Sequence, residues 1–388
     1  MKPLRIAHVV PCYLPAVEYG GTVRCVATLA KAQADLGLEI TVHTTNARGM
    51  ASTTPEAPGW KDVNGVPVCY AEAMWPRSFF LAPKLVIDLA HTLSRGVDLV
   101  HLHGLWVFST AAGSRLCEVR GVPFVVTPHG ALSRWALAHK SLKKSVYFRL
   151  IERSTLNHAA FIHFATQTEQ AEAPSIGSEV VIPNPIPLDD FLSVAPLTSR
   201  RPLRLIVVGR VHPVKGFDLL LPALARARAR GCDCRLTVAG PDEAGYLATV
   251  KALVLEHGLG AMVDFTGRLE PRELPAALAE ASALVMASHQ ESFGMAAAEA
   301  MAAARPVIVS SRVSIADDVA RAACGLVSDH DVASLAACIE QLYERADELP
   351  AMGARGRVYA REHFSPDRVA KATVRAYEDV IEAKHATG

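Results

Sequence analysis

Residues 283–309 read ALVMASHQESFGMAAAEAMAAARPVIV. Two short apolar runs, 283–286 and 307–309, flank a polar loop and an Ala- and Met-rich helical pattern. Apolar strands without a polar alternation are buried on both faces, and a helix between two of them is the repeating unit of a parallel sheet. The unit recurs toward the amino terminus at 203–208, 235–239 and 263–265. A separate set of strand patterns lies at 4–10, 39–44, 98–102, 123–127, 161–165 and 179–182, with helical patterns such as 22–36 and 83–93 between some of them. Residues 183–202 hold five prolines and little periodicity, the composition of a linker. The expected fold is α/β, two doubly wound domains joined there.

Bulk composition agrees. At 388 residues the chain suits two domains, and 40 Lys and Arg against 39 Asp and Glu leave a net charge of +1, which argues against nucleic acid as a partner. Eight scattered cysteines form no CxxC pair and read as reduced thiols of a cytoplasmic protein. No run approaches the roughly 18 uncharged apolar residues of a membrane span.

Doubly wound sheets bind ligands beyond the carboxyl ends of their strands, so the loops after the strands carry the candidates. After the first strand comes PCYLPAVEYGGTVR, where Gly20 and Gly21 precede a helix and their amides could approach a phosphate or a sugar; a plain turn would also want glycine. After residues 203–208 comes GRVHPVKGF. Arg210 and Lys215, flanked by Gly209 and Gly216, suit a diphosphate leaving group whose charge grows as its bond breaks; solvated surface charge is the ordinary alternative. In the opening stretch, Glu291 closes the loop, the amides of Phe293, Gly294 and Met295 open the helix, and Glu299 lies inside it. An acid in such an apolar helix is costly without a partner, and ligand hydroxyls would supply one.

These segments resemble glycosyltransferase family 4, the retaining enzymes of GT-B fold. The E-x7-E hallmark is ESFGMAAAE, Glu291 through Glu299, and G-R-x4-K-G is Gly209, Arg210, Lys215 and Gly216. The likeness runs over nearly the whole chain. It implies two Rossmann-like domains facing a cleft: residues 1–185 on the acceptor side, residues 186–365 binding a nucleotide sugar, and a last helix, 366–388, packing back on the first. It further implies that Arg210 and Lys215 bind the donor diphosphate, Glu299 the ribose hydroxyls, and Glu291 the donor sugar near its reacting face. By the same resemblance His129, in VVTPHGALS, is expected against the transferred sugar, Gly20 and Gly21 near the donor phosphate, and Arg268 and Leu269 where base contacts occur. The activity implied is retaining transfer of a hexose from a nucleoside diphosphate sugar to a glycan or lipid-linked acceptor, in cell-surface or exopolysaccharide synthesis. The rivals are a GT-B epimerase or hydrolase, and an idle nucleotide-binding scaffold.

Two departures border the expected donor side: Arg305 stands where the family commonly has a small glycine, and SSRVSIADD (310–318) replaces a Gly-rich loop. Asp329-His330-Asp331 spells the DxD metal signature of another fold, but in a strand-to-helix context Asp331 reads better as an N-cap, and no metal or other cofactor is expected. His101 and His103 share a strand face with no third ligand in reach by sequence, so His103 and Trp106 are assigned to the acceptor side. Residues 134–153 interleave Arg134, Lys140, Lys143, Lys144, Arg149 and Arg153 with apolar residues, the pattern either of a peripheral contact with the inner face of the plasma membrane or of a solvated surface helix.

Overall fold

A computed structural model describes residues 3–47, 56–74, 79–133, 136–137, 147–198 and 202–387. By contacts the chain divides into Met1–Pro185 with Pro366–Gly388, and Ile186–Ser365.

The first unit is built on an eight-stranded sheet. Its strands are β1 (Arg5–Val9), β2 (Glu39–Thr45), β3 (Gly59–Val63), β4 (Val66–Ala71), β5 (Leu99–His103), β6 (Phe124–Thr127), β7 (Ile162–Phe164) and β8 (Glu179–Val181). Their order is β3-β4-β2-β1-β5-β6-β7-β8, parallel throughout except for the β3–β4 hairpin. Successive side chains feed opposite faces. Ala7, Val9, Val100, Leu102 and Val126 enter one core, and Ile6, Val10, Leu99 and Val125 enter the other. The carboxy-terminal helix, Pro366–Thr387, belongs to this unit; it packs on helix Gly21–Asp35 and adds Tyr377 and Ile381 to the second core.

The second unit has six parallel strands: β9 (Leu203–Val208), β10 (Cys234–Ala239), β11 (Val263–Gly267), β12 (Ala283–Met286), β13 (Val307–Ser310) and β14 (Gly325–Ser328). The order β11-β10-β9-β12-β13-β14 is that of a doubly wound dinucleotide-type sheet, and it reverses between β9 and β12. In the first unit the corresponding reversal falls between β1 and β5.

Arg305 corrects an expectation. It precedes β13, so it lies at the amino-terminal edge of the sheet, away from the edge that binds ligands. The residue is 2 % exposed, and its guanidinium donates to the carbonyls of Leu278, Ala279, Ala303, Ala304 and Ala195. Four of those carbonyls end helices Leu274–Glu280 and Met295–Ala302, where backbone acceptors run out of helical donors. Arg305 therefore ties helix ends together and does not border a donor sugar.

Candidate active site

The loops that leave β9 and β12, at the reversal of the second sheet, hold the densest group of candidates. The chain turns out of β9 at Gly209, with φ 141°. A Cβ there would stand 3.1 Å from Lys215 Cε and 3.3 Å from its Nζ, so the missing side chain leaves the lysine its path back over the strand end. The Lys215 ammonium donates to Glu291 Oε2 at 2.6 Å, with the two side chains 13 and 25 % exposed.

Glu291 is held in place by its backbone. It bridges to Val313, and its carbonyl accepts from Ser314 N at 3.1 Å and Ser314 Oγ at 3.0 Å. Ile315 N donates to Phe293 O at 3.0 Å. The segment 310–318 thus buttresses the Glu291 loop, and of the two departures from the family pattern it is the one at the site.

At Gly294, φ is 107° and a Cβ would meet Ile315 Cγ2 at 2.9 Å, so strain and obstruction both demand glycine. Helix Met295–Ala302 starts there, and its first amides have no partner within the helix, which makes the turn a ready anion site. The Phe293 ring is buried edge-on against Phe364, leaving its amide as the group to offer a ligand. Glu299, one helix face further in, is 2 % exposed.

The remaining donor-side candidates do not join this group. Arg210 is exposed and donates to Glu243 Oε1 at 2.6 Å. An exposed pair of that kind contributes little, so an anionic ligand could displace the carboxylate. Arg268, exposed, and Leu269, half-buried, follow the edge strand β11. Asp331 accepts from Ser334 N at 2.8 Å as the N-cap of helix Val332–Glu344.

In the first unit, Gly20 (φ 92°) caps helix Gly21–Asp35 in the loop after β1. Loops after β5 and β6 present Trp106 and His129, both in the left-handed region at φ 65° and 51°. Such backbone strain in non-glycine residues clusters at functional sites. Two acids invisible to motif reading hold these loops. Glu169 accepts from Gly130 N at 2.6 Å and Ala165 N at 2.8 Å, and Glu152 accepts from Trp106 N at 2.6 Å. Burial pushes both carboxyls up to about 7, against the amides that favour their charged forms. Gly130 itself turns through the left-handed region, at φ 81°.

His103 requires a correction. It is 1 % exposed and cannot meet an acceptor; instead its Nδ1 lies 3.2 Å from His129 Nε2. Nor do His101 and His103 lack a third neighbour. The β1–β5 register sets His8 against His101, and nitrogens of His8, His101 and His103 come within 4.8 Å of one another, a grouping able to hold a metal ion. Each ring nitrogen of the three is, however, already hydrogen-bonded to a protein group. Of the basic stretch, residues 134–135 and 138–146 lie outside the described residues. Among the described residues no helix is long and apolar enough to cross a membrane.

Two doubly wound domains, with cations and acids on the loops at the strand reversal of the second, have the arrangement in which such sheets bind ligands. Comparison with known proteins makes this specific. Residues 20–185 match the model of the glycosyl transferase 4-like domain, and residues 193–359 that of glycosyl transferases group 1. A D-inositol 3-phosphate glycosyltransferase of Gordonia bronchialis is 31 % identical over 74 % of this chain and 67 % of its own length. The glycogen synthase of Mycobacterium tuberculosis is 27 % identical over 94 % and 92 %. Among solved structures, sucrose-phosphate synthase from Thermosynechococcus elongatus superposes with a TM-score of 0.78 at 20 % identity, over 98 % of this chain and 100 % of that one. The chain belongs to the GT4-type glycosyltransferases of GT-B fold.

Proposed function

We propose that this transferase moves a hexose from a nucleoside diphosphate sugar to a glycan or lipid-linked acceptor, with retention of anomeric configuration. The observation that carries the reading is the Lys215–Glu291 contact of 2.6 Å beside the open amino terminus of helix Met295–Ala302. An arriving diphosphate exchanges one anionic partner of Lys215 for another. That exchange frees the Glu291 carboxylate to accept from sugar hydroxyls, while Arg210 leaves Glu243 for the same phosphates. Glu299 takes the ribose hydroxyls, and His129 lies against the transferred sugar. As charge builds on the departing diphosphate, Lys215, Arg210 and the helix amides stabilise it. The departing phosphate takes the acceptor proton, so no protein nucleophile is required.

With Lys215 and a helix terminus at the site and Arg210 able to exchange Glu243 for phosphate, transfer is expected to proceed without a divalent ion and to survive excess chelator. Abolition by chelator with rescue by magnesium or manganese would contradict this. Peripheral contact of residues 134–153 with the inner face of the plasma membrane belongs to the same reading. A Lys→Gln variant at Lys140, Lys143 and Lys144 that sediments with anionic liposomes as the parent does would refute it. Nucleoside diphosphate release measured with and without a glycan acceptor tests the activity. Acceptor-dependent release supports transfer, acceptor-independent release a hydrolase or epimerase, and no release a scaffold.

A further inference from the structure

Eight side chains of the first unit form one unbranched hydrogen-bonded chain that begins at a backbone carbonyl and ends at His129. His163 Nε2 lies 2.7 Å from Ile182 O, and a carbonyl can only accept, so that nitrogen carries the proton. The buried ring is neutral, because burial lowers the His163 pKa to about 4. Its Nδ1 is therefore bare and accepts the hydroxyl proton of Thr127 at 3.0 Å. Thr127, its one proton spent, accepts from His101 Nε2 at 2.6 Å. His101 Nδ1, bare in turn, accepts the Tyr377 hydroxyl at 2.6 Å. Tyr377 receives Gln33 Nε2 at 3.4 Å, which turns the other end of the amide, Oε1, toward His8 Nε2 at 2.8 Å. His8 Nε2 donates, so His8 Nδ1 accepts from His103 Nε2 at 2.9 Å, and His103 Nδ1 accepts from His129 Nε2 at 3.2 Å. Burial holds His8, His101, His103 and His129 neutral as well, and neighbouring imidazoles add to the effect at His101, His103 and His129. Every proton in the chain has one place to be, and the last ring is left with a bare Nδ1.

We propose that this relay fixes His129 as the neutral Nε2–H tautomer, so that it meets its ligand as a hydrogen-bond acceptor through Nδ1. The group it recognises must bring a proton, such as a sugar hydroxyl or an amide N–H; a carboxylate or phosphate oxygen would face a lone pair. Gln33, His8 and His103 are then positioning residues for His129. Tyr377 brings the carboxy-terminal helix into the same chain. The ligand half of this inference rests on the reading that His129 lies against the transferred sugar; the tautomer half does not.

The test is a long-range nitrogen–proton correlation spectrum of the histidine-labelled, ligand-free protein at neutral pH, assigned by the loss of peaks in His129→Gln. The relay predicts one bare and one protonated nitrogen for His129, with the proton on Nε2. A His8→Phe variant, which removes a relay member and leaves His129 untouched, should lose that single tautomer. Its KM for the nucleotide sugar should rise roughly fivefold while nucleoside diphosphate affinity stays unchanged. A proton on Nδ1, a cationic ring, or an unaltered His129 signal in folded His8→Phe would overturn the proposal. The spectrum of the parent decides the tautomer even where the variant does not fold, and it requires no transferase activity, so failure of the functional reading would show separately in the release assay.

Discussion

Glu291 and Glu299 stand eight positions apart, one on a half-exposed loop against Lys215 and the other buried inside a helix. Their different surroundings support the different roles proposed for them. On the proposed assignment Glu299 meets the ribose, whose contacts change little as the glycosidic bond breaks, so its loss should weaken ground and transition states alike, and Glu299→Ala should raise donor KM more than it lowers kcat. Glu291→Gln keeps the shape but loses the charge that the proposal sets beside the reacting sugar, and kcat should fall by roughly 10²-fold. Calorimetric titration with nucleoside diphosphate, which lacks the sugar, separates the two. Binding should persist in Glu291→Gln and weaken in Glu299→Ala, and the reverse pattern would refute the assignment. The spacing of these residues could be read from the chain because one loop and one helix carry it. The pairing of Lys215 with Glu291 could not, since it joins loops 76 positions apart. The histidine relay was hidden for the same reason. Alternation placed His101 and His103 on one face, but only the parallel register with β1 delivers His8 to them.

Among elements, the clearest gain over sequence concerns Arg305. Side-chain identity alone marked it as a departure from a family pattern, whereas its position before β13 makes it a clamp on helix ends. Arg305→Ala would strand buried carbonyls at two helix termini, each costing about 1–3 kcal/mol. The variant should lose at least about 3 kcal/mol of stability by denaturant unfolding and keep the donor KM of the parent. Equal stability, or a selective change in donor KM, would return Arg305 to the donor side. The β3–β4 hairpin was not anticipated, although Asn64 and Gly65 sit at its turn with φ 55° and 81°, and an Asn-Gly pair is a strong hairpin signal. A hairpin of two short strands within a parallel frame breaks the alternation of strand and helix that marks the rest of the sheet. Most remaining strands were legible because they are short, apolar and buried on both faces.

At the scale of the whole molecule, the buried imidazoles make stability depend on pH. His8, His43 and His163 are pushed down to about 4, His129 to about 3, and His101 and His103 well below their ordinary value. Their folded pKa values are depressed, so their stabilisation is present above the unfolded value of about 6.5 and is lost as pH falls toward 4. Glu152 and Glu169, raised to about 7, act in the opposite sense, favouring the fold at low pH and losing that contribution as pH rises toward 7. Six histidines outweigh two glutamates, so Tm at pH 5 should lie about 10 °C or more below its value at pH 7.5. Scanning calorimetry at both pH values measures it, and an equal or higher Tm at pH 5 would count against neutral buried imidazoles.

Proton NMR of one reaction mixture follows the proposed transfer itself. A nucleotide sugar drawn from those that raise the thermal stability of the protein is combined with a glycan acceptor, and its anomeric proton is followed in time. Under retaining transfer this signal decays only when acceptor is present, and a glycosidic anomeric signal of the same configuration grows in step. Decay without acceptor, or a product of inverted configuration, would contradict it.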